Sequence, residues 1–230
     1  MSYTIETIAE RIGARRVGDA PATIDWLLTD SRSLSFPEET LFFALATKRN
    51  DGARYIPDLY SRGVRNFVVT QETLKAIDNG QWEIDNGQLT IDNGLRAVTL
   101  HRIVNCQLSI VNFLMVSDPL KALQKLAEQH REQFQIPVIG ITGSNGKTIV
   151  KEWLHQLLSP ERVIVRSPRS YNSQIGVPLS VWQMNGQSEL AIFEAGISEM
   201  GEMRALQNII KPTIGILTNI GGAHQENFFS

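Results

Sequence analysis

The run IPVIGIT passes directly into GSNGKTIVKEWLHQLL, and this junction restricts the fold more than any other stretch of the chain. IPVIGIT is short, apolar and rich in β-branched residues, as a buried strand is. Gly143 and Gly146 open the following loop to close approach by an anion, and a lysine, a hydroxyl and a helix start come next, as Lys147, Thr148 and the run to Leu158. A strand, a glycine turn and a helix N-terminus in that order make an anion site, because the turn amides and the first helical amides point the same way. The strict phosphate-loop pattern GxxxxGK[ST] is missed, since Ile141 stands five positions before Gly146.

The chemistry of a nucleotide loop is nevertheless complete. Gly143 and Gly146 let backbone amides approach phosphate oxygens, Lys147 can serve the β and γ phosphates, and Thr148 can serve a Mg2+ ion, a set that many nucleotide-dependent reactions share. The alternative is a plain glycine-rich turn with Lys147 solvated. Val150, Trp153, Leu154, Leu157 and Leu158 fall on one side of the expected helix, which predicts that this side packs on the sheet.

Around this unit the second half reads as α/β. SDPLKALQKLAEQHREQF predicts a helix with Ser117 as cap and Pro119 in the first turn. IPVIGIT, RVIVRS, ELAIFEAG and TIGILTNI are short apolar runs separated by helical or loop stretches, the pattern of a buried parallel sheet with crossover helices. Such sheets bind ligands beyond the C-terminal ends of their strands. Glu194 follows LAIF, and Asn219 and His224 follow GILTNI, so all three stand at expected strand ends. A carboxylate there can hold Mg2+. Position alone leaves open an acidic residue at a surface turn, and a lone histidine such as His224 is usually structural or solvated.

The first half has a similar grammar on a smaller scale. TIETIAERIGA spaces Ile5, Ile8, Ala9 and Ile12 as a helix does and stops at Gly13. ATIDWLLTDSR, ETLFFALA and VRNFVVT read as strands and YIPDLYSRG as a helix, giving a small α/β domain that ends near Thr70.

Residues 77–112 break the pattern. IDNG recurs at Ile77, Ile84 and Ile91, and its Asn-Gly pairs oppose a coiled coil. With one permitted codon choice, the reverse complement of IDNGQLTIDN translates as IVNCQLSIVN at all ten positions, so the two look like arms of a DNA inverted repeat. A repeat-derived insertion in a surface loop is expected, with a chance hairpin as its most ordered outcome. The single cysteine, Cys106, lies in the second arm, which excludes an intrachain disulfide or a thiolate metal cluster. A net charge of -2 gives none of the basic surplus of a nucleic-acid binder. No signal-like apolar region or bilayer-length run is present, so a cytoplasmic location is expected.

Taken together, TGSNGKT, LLTDSRSL, TLFFAL, NDG, YNSQIGVPLS, FEAGISEMGE and TNIGGAHQENF resemble the Mur ligase family, and within it the branch that adds D-alanyl-D-alanine to UDP-N-acetylmuramoyl-tripeptide. The resemblance implies a UDP-precursor-binding α/β domain over 1–76, the insertion over 77–112, and the first part of a P-loop, Rossmann-like parallel-sheet ATPase domain over 113–230. It implies an ATP-dependent ligase of peptidoglycan synthesis that works through an acyl phosphate. Ser31, Arg32 and Asn172 match substrate contacts, Lys147, Glu194 and His224 the catalytic centre, and Thr148, Glu194 and His224 the magnesium sites. Gly143, Ser144, Asn145, Gly146, Lys147, Thr148 and Asn219 match the nucleotide contacts. A surface ion pair remains the alternative for Arg32, and a turn former that for Asn172.

Ser173 stands where the family commonly has a second asparagine, and Ala53 where it has a histidine. The family continues beyond the equivalent of Ser230 with a carbamylated lysine and a third domain, in some bacteria fused to alanine racemase, so an incomplete, inactive fragment is expected. The competing readings are another Mur or folylpolyglutamate-type ligase, a P-loop kinase, and a non-catalytic fragment that binds the UDP precursor and ATP.

Overall fold

The computed structural model describes residues 1–47, 50–78, 82–85, 88–91, 110–197 and 199–221, and gives the backbone alone for 50, 77, 78, 82–85 and 88–91. The chain divides into two compact units, Ser2–Ala122 and Leu123–Ser230.

In the first unit the helix Ile5–Ile12 forms as its spacing predicts. The Thr4 hydroxyl accepts the Thr7 N–H at its start, and Gly13 ends it at φ 69°, in the left-handed region. A five-stranded sheet follows in the order Arg15–Val17, Asn112–Met115, Asn66–Val69, Thr40–Phe43 and Trp26–Leu28. Its last four strands run parallel, and Arg15–Val17 is antiparallel to its neighbour. Phe42, Phe67, Val69, Ile56 and Leu59 form the core with Val111.

Two of these facts revise the expected boundaries. The strand Asn112–Met115 sits between two others of the first sheet, so that unit takes in residues assigned to the insertion and to the second domain. Asn112 is fully buried; its side chain donates 2.8 Å to Asn66 Oδ1 and 3.0 Å to the Ala20 carbonyl, and accepts from Arg16 Nε at 2.9 Å. At the other end the helix Gln71–Asp78 includes Ile77. Between these points Trp82–Asp85 pairs antiparallel with Gln88–Ile91, Asp85 opposite Gln88, and the second of these strands lies alongside the helix Ile56–Ser61. Cys106 lies outside the described residues.

The second unit carries a four-stranded parallel sheet in the order Ile164–Arg166, Leu190–Glu194, Val138–Thr142, Ile214–Leu217. Successive residues alternate faces, as strand geometry requires. Val138, Ala191 and Phe193 pack with Val177, Val181, Leu206 and Ile209, whereas Ile139, Ile141, Leu190 and Ile192 pack with Val150, Leu154 and Leu158. The helix Lys147–Leu158 therefore turns Val150, Leu154 and Leu158 inward, while Trp153 and Leu157 are 63% and 74% exposed. This corrects the expected single apolar side: residues one apart lie about 100° apart on a helix, so 149, 153 and 157 form a separate stripe. The cap of the helix Pro119–Arg131 also differs, because Asp118 Oδ1, not Ser117, accepts the N–H groups of Leu120 and Lys121. Among the described residues no helix is long and apolar enough to cross a membrane.

Candidate functional site

Parallel register brings distant residues of the second unit together. Ile141 stands opposite Glu194, and Thr142 opposite Leu217. The loop after Thr142, the end of the strand at Glu194 and the turn after Leu217 consequently meet at one edge of the sheet.

The loop is held from the side by that last turn. Ser144 N–H donates 3.0 Å to the Asn219 carbonyl, and Asn145 N–H donates 2.8 Å to Asn219 Oδ1. Thr218 Oγ1 donates 2.5 Å to the Asn145 carbonyl, and the Ser144 hydroxyl exchanges hydrogen bonds with the backbone of Gly221. Asn219, expected as a nucleotide contact, thus braces the loop. Gly143 has φ 133°, and a Cβ there would stand 2.2 Å from Thr218 Oγ1, so both conformation and packing demand glycine. Gly146, at φ 83°, starts the helix Lys147–Leu158, whose first-turn amides have no intrahelical acceptor. Lys147 folds back and donates 2.6 Å to the Gly143 carbonyl, keeping its ammonium over the loop.

Behind the loop, the Thr148 hydroxyl donates 3.0 Å to Glu194 Oε2. Two residues picked from separate motifs are therefore in direct contact. Glu194 is fully buried and sits 2.8 Å, as an ion pair, from Lys151 Nζ, which is also fully buried. Oε1 faces that ammonium without hydrogen-bond geometry and receives no donor. Lys151 and Ser167, whose hydroxyl accepts the Glu194 N–H at 3.1 Å, are site residues that sequence reasoning missed. A signal for Lys151 exists: it adjoins the inward Val150, a place where a helix that packs on a sheet normally has an apolar residue.

Past the end of the strand Leu190–Glu194, Asn172 accepts the Gly196 N–H at its carbonyl, 2.8 Å, and its side chain would collide with any Cβ on Gly196. Ser173 accepts the Gly176 N–H at its hydroxyl, 3.1 Å, just before the helix Gly176–Val181, a bond that an asparagine side chain can also make. A cleft of about 360 Å³ is lined by Gly143, Ser144, Lys147, Asn172, Ser173 and Asn219, among others. His224 lies outside the described residues.

In the first unit Ser31 is buried and Arg32 is exposed. Arg32 forks onto Asp30, with Nε 2.9 Å from Oδ1 and Nη2 2.6 Å from Oδ2; these hydrogen bonds hold the Asp30 carboxyl below the usual aspartate range. Gly52 lies flat against the backbone of Ala44 and Leu45, where a Cβ would meet Leu45 N at 2.7 Å.

The donor set suits a Mg2+ ion shared with phosphate oxygens and water, which needs few protein ligands. Glu194 Oε2 lies beside the Thr148 hydroxyl, whose oxygen keeps its lone pairs, while Oε1 is held against the Lys151 ammonium. Among the described residues no three His, Cys, Asp or Glu side chains converge as a closed cage.

Residues 141–230 match the Mur ligase middle domain. The chain is 34% identical over 194 residues to the UDP-N-acetylmuramoyl-tripeptide--D-alanyl-D-alanine ligase of Borreliella burgdorferi, covering 83% of this chain and 36% of that protein. Identity to the protein of the same name from Treponema pallidum is 43% over 112 residues, 48% of this chain and 24% of the other. The crystal structure of MurF from Acinetobacter baumannii superimposes with a TM-score of 0.76 at 24% identity, covering 99% of this chain and 43% of that one, and supports the fold. The chain thus spans less than half of the relatives it matches.

Proposed function

The chain belongs to the Mur ligase family, and from that membership we propose that it serves an ATP-dependent ligase joining D-alanyl-D-alanine to UDP-N-acetylmuramoyl-tripeptide in peptidoglycan precursor synthesis. The terminal carboxylate of the tripeptide attacks the γ phosphorus of ATP; ADP leaves and an acyl phosphate forms. The amine of D-alanyl-D-alanine then attacks the acyl carbon, loses a proton and expels phosphate. The first step brings an anion to a polyanion, so its barrier is largely electrostatic.

Residues of the second unit answer that difficulty. Lys147 and the first amides of the helix Lys147–Leu158 bind the β and γ phosphates, and Thr148 and Glu194 hold Mg2+, with His224 as its further ligand. Magnesium, when bound, would supply positive charge that offsets the phosphate charge. Asn172 orients the acceptor beside the reacting phosphate, and Ser31 and Arg32 hold the UDP portion. The unit Ser2–Ala122 is then the precursor-binding domain, Leu123–Ser230 the first part of the ATP-binding domain, and most of 77–112 a repeat-derived insertion. A reaction that consumes ATP and a UDP-linked precursor belongs in the cytoplasm.

The contact between Thr148 and Glu194 beside Lys147 carries this reading, because it joins the hydroxyl and the carboxylate that one magnesium ion needs. The test uses a polypeptide extended to the length of the relatives. Phosphate release is expected to require ATP, the UDP-tripeptide and D-alanyl-D-alanine together, and to vanish in Lys147→Ala. ADP release without the amine indicates a kinase, and turnover unchanged in Lys147→Ala overturns the assignment.

A further inference from the structure

Lys151 lies one turn beyond the nucleotide loop, and its side chain is wholly buried. An ammonium has three donors and is strongly hydrated in water, so it is buried only where protein acceptors replace that hydration. Here the acceptors come from three segments. Nζ donates 2.8 Å to the Ser167 carbonyl and donates also to the Arg169 carbonyl. It stands 2.8 Å from Glu194 Oε1 and 3.2 Å from Glu152 Oε1.

Two of those segments run on into the lining of the cleft, one at Gly196 and the other at Asn172. Glu194 receives the Thr148 hydroxyl on the nucleotide side. The turn 167–169 leads into Asn172 on the acceptor side, and Arg169 holds φ 50° there. That left-handed conformation is disfavoured for a residue with a Cβ, so an external hold on its carbonyl matters. Further hydrogen bonds join the same segments: Glu194 N–H to Ser167 Oγ at 3.1 Å, and Gly196 N–H to the Asn172 carbonyl at 2.8 Å.

We propose that Lys151 is a positioning residue that fixes Glu194 and the turn 167–172 as one unit, so that the carboxylate of the nucleotide side and the asparagine of the acceptor side keep a constant separation. This rests on the ligase reading of the cleft. Lys147 lines the cleft and folds back over the loop, whereas Lys151 is buried behind the lining. Removal of the ammonium also leaves Glu194 a buried carboxylate without a counter-charge, which releases its aim at Thr148.

The chain itself is compared with Lys151→Met, which keeps the aliphatic length, and Lys151→Arg, which keeps the charge. Amide hydrogen exchange needs no ligand. In Lys151→Met it is expected to rise about tenfold at Tyr171, Glu194 and Gly196, with Ile139–Ile141 unchanged, as a local opening does. In titrations with ADP, the affinity gained on adding Mg2+ is expected to fall about tenfold, with metal-free affinity unchanged and partial recovery in Lys151→Arg. Unaltered exchange at the three amides in a folded Lys151→Met overturns the proposal, as does a uniform rise along the chain. If Lys151→Met lacks a cooperative melt, the double variant Lys151→Met/Glu194→Gln, which removes both buried charges, carries the same exchange measurement. A polypeptide extended to the length of the relatives that binds no ADP, or whose binding Lys147→Ala leaves intact, overturns the ligase reading instead, and the exchange data then decide the role of Lys151.

Discussion

Thr148 and Glu194, 46 positions apart in the chain, share a hydrogen bond of 3.0 Å because Ile141 and Glu194 are neighbours in parallel strands. A valine at position 148 keeps the shape and removes the donor. Thr148→Val is expected to cost about 1–3 kcal/mol of stability, since a buried carboxylate oxygen loses its partner. It is also expected to remove most of the magnesium-dependent gain in ADP affinity. Thermal melts and paired titrations with and without Mg2+ measure the two effects separately.

The two loop glycines differ in what surrounds them. At Gly143 a methyl group meets Thr218 Oγ1 at 2.2 Å, whereas at Gly146 the nearest atom is 3.9 Å away. Gly146→Ala should therefore cost only the left-handed backbone penalty, about 1–2 kcal/mol. Gly143→Ala adds a collision with the brace and should cost more and abolish nucleotide binding. Equal melting points for the two variants would show that the brace does not constrain the loop.

Asn112 and Asn66 form a buried pair in the first sheet. Each alanine substitution takes one hydrogen bond from the other buried amide and is expected to destabilise by about 1–3 kcal/mol. The double variant should cost less than the sum, a coupling that a double-mutant cycle in urea measures.

Replacement of residues 79–109 by a short glycine-serine linker is expected to leave a cooperative melt and UDP-precursor binding. Removal of 77–112 takes away Val111 and Asn112 and should unfold the first unit. Calorimetry on both deletions checks the difference, and a linker variant that loses binding while folded would give the segment a functional role.

The Asp30 carboxyl should titrate below ordinary aspartate by NMR, and Arg32→Ala should return it to the ordinary value. The folded-state pKa is depressed, so the contribution of the pair is present above the unfolded value and is lost as pH falls through the folded one. The pair is exposed, and the effect on the melting point should be small.

The strand-loop-helix unit was legible because each part of it has a local signature: β-branched residues, two glycines, a lysine and threonine, then helical spacing. The parallel sheet was legible from its four apolar runs. The strand Asn112–Met115 was hidden, because the second repeat arm ends on Asn112 and draws the eye to the repeat. Trp153 and Leu157 read as core, since apolar character alone does not say which of two adjacent stripes turns inward. Asn219 showed its place at a strand end, but its role as a brace depends on a contact with Asn145 across the chain. Lys151 escaped because a lysine in a helix is ordinarily solvated, and its acceptors come from segments folded against it.

Along Asn112–Met115 the side chains alternate, with Asn112 and Leu114 fully buried and Phe113 and Met115 partly exposed. A strand that slips by one residue exchanges its two faces. Whatever precedes residue 110 can lengthen or shorten, but the chain must re-enter the sheet in the same phase, with an amide at the first position and a leucine two places on. That requirement acts on codons: a copying event that rewrote the end of the arm so that Asn112 became alanine or aspartate would set a methyl or a charge against Asn66.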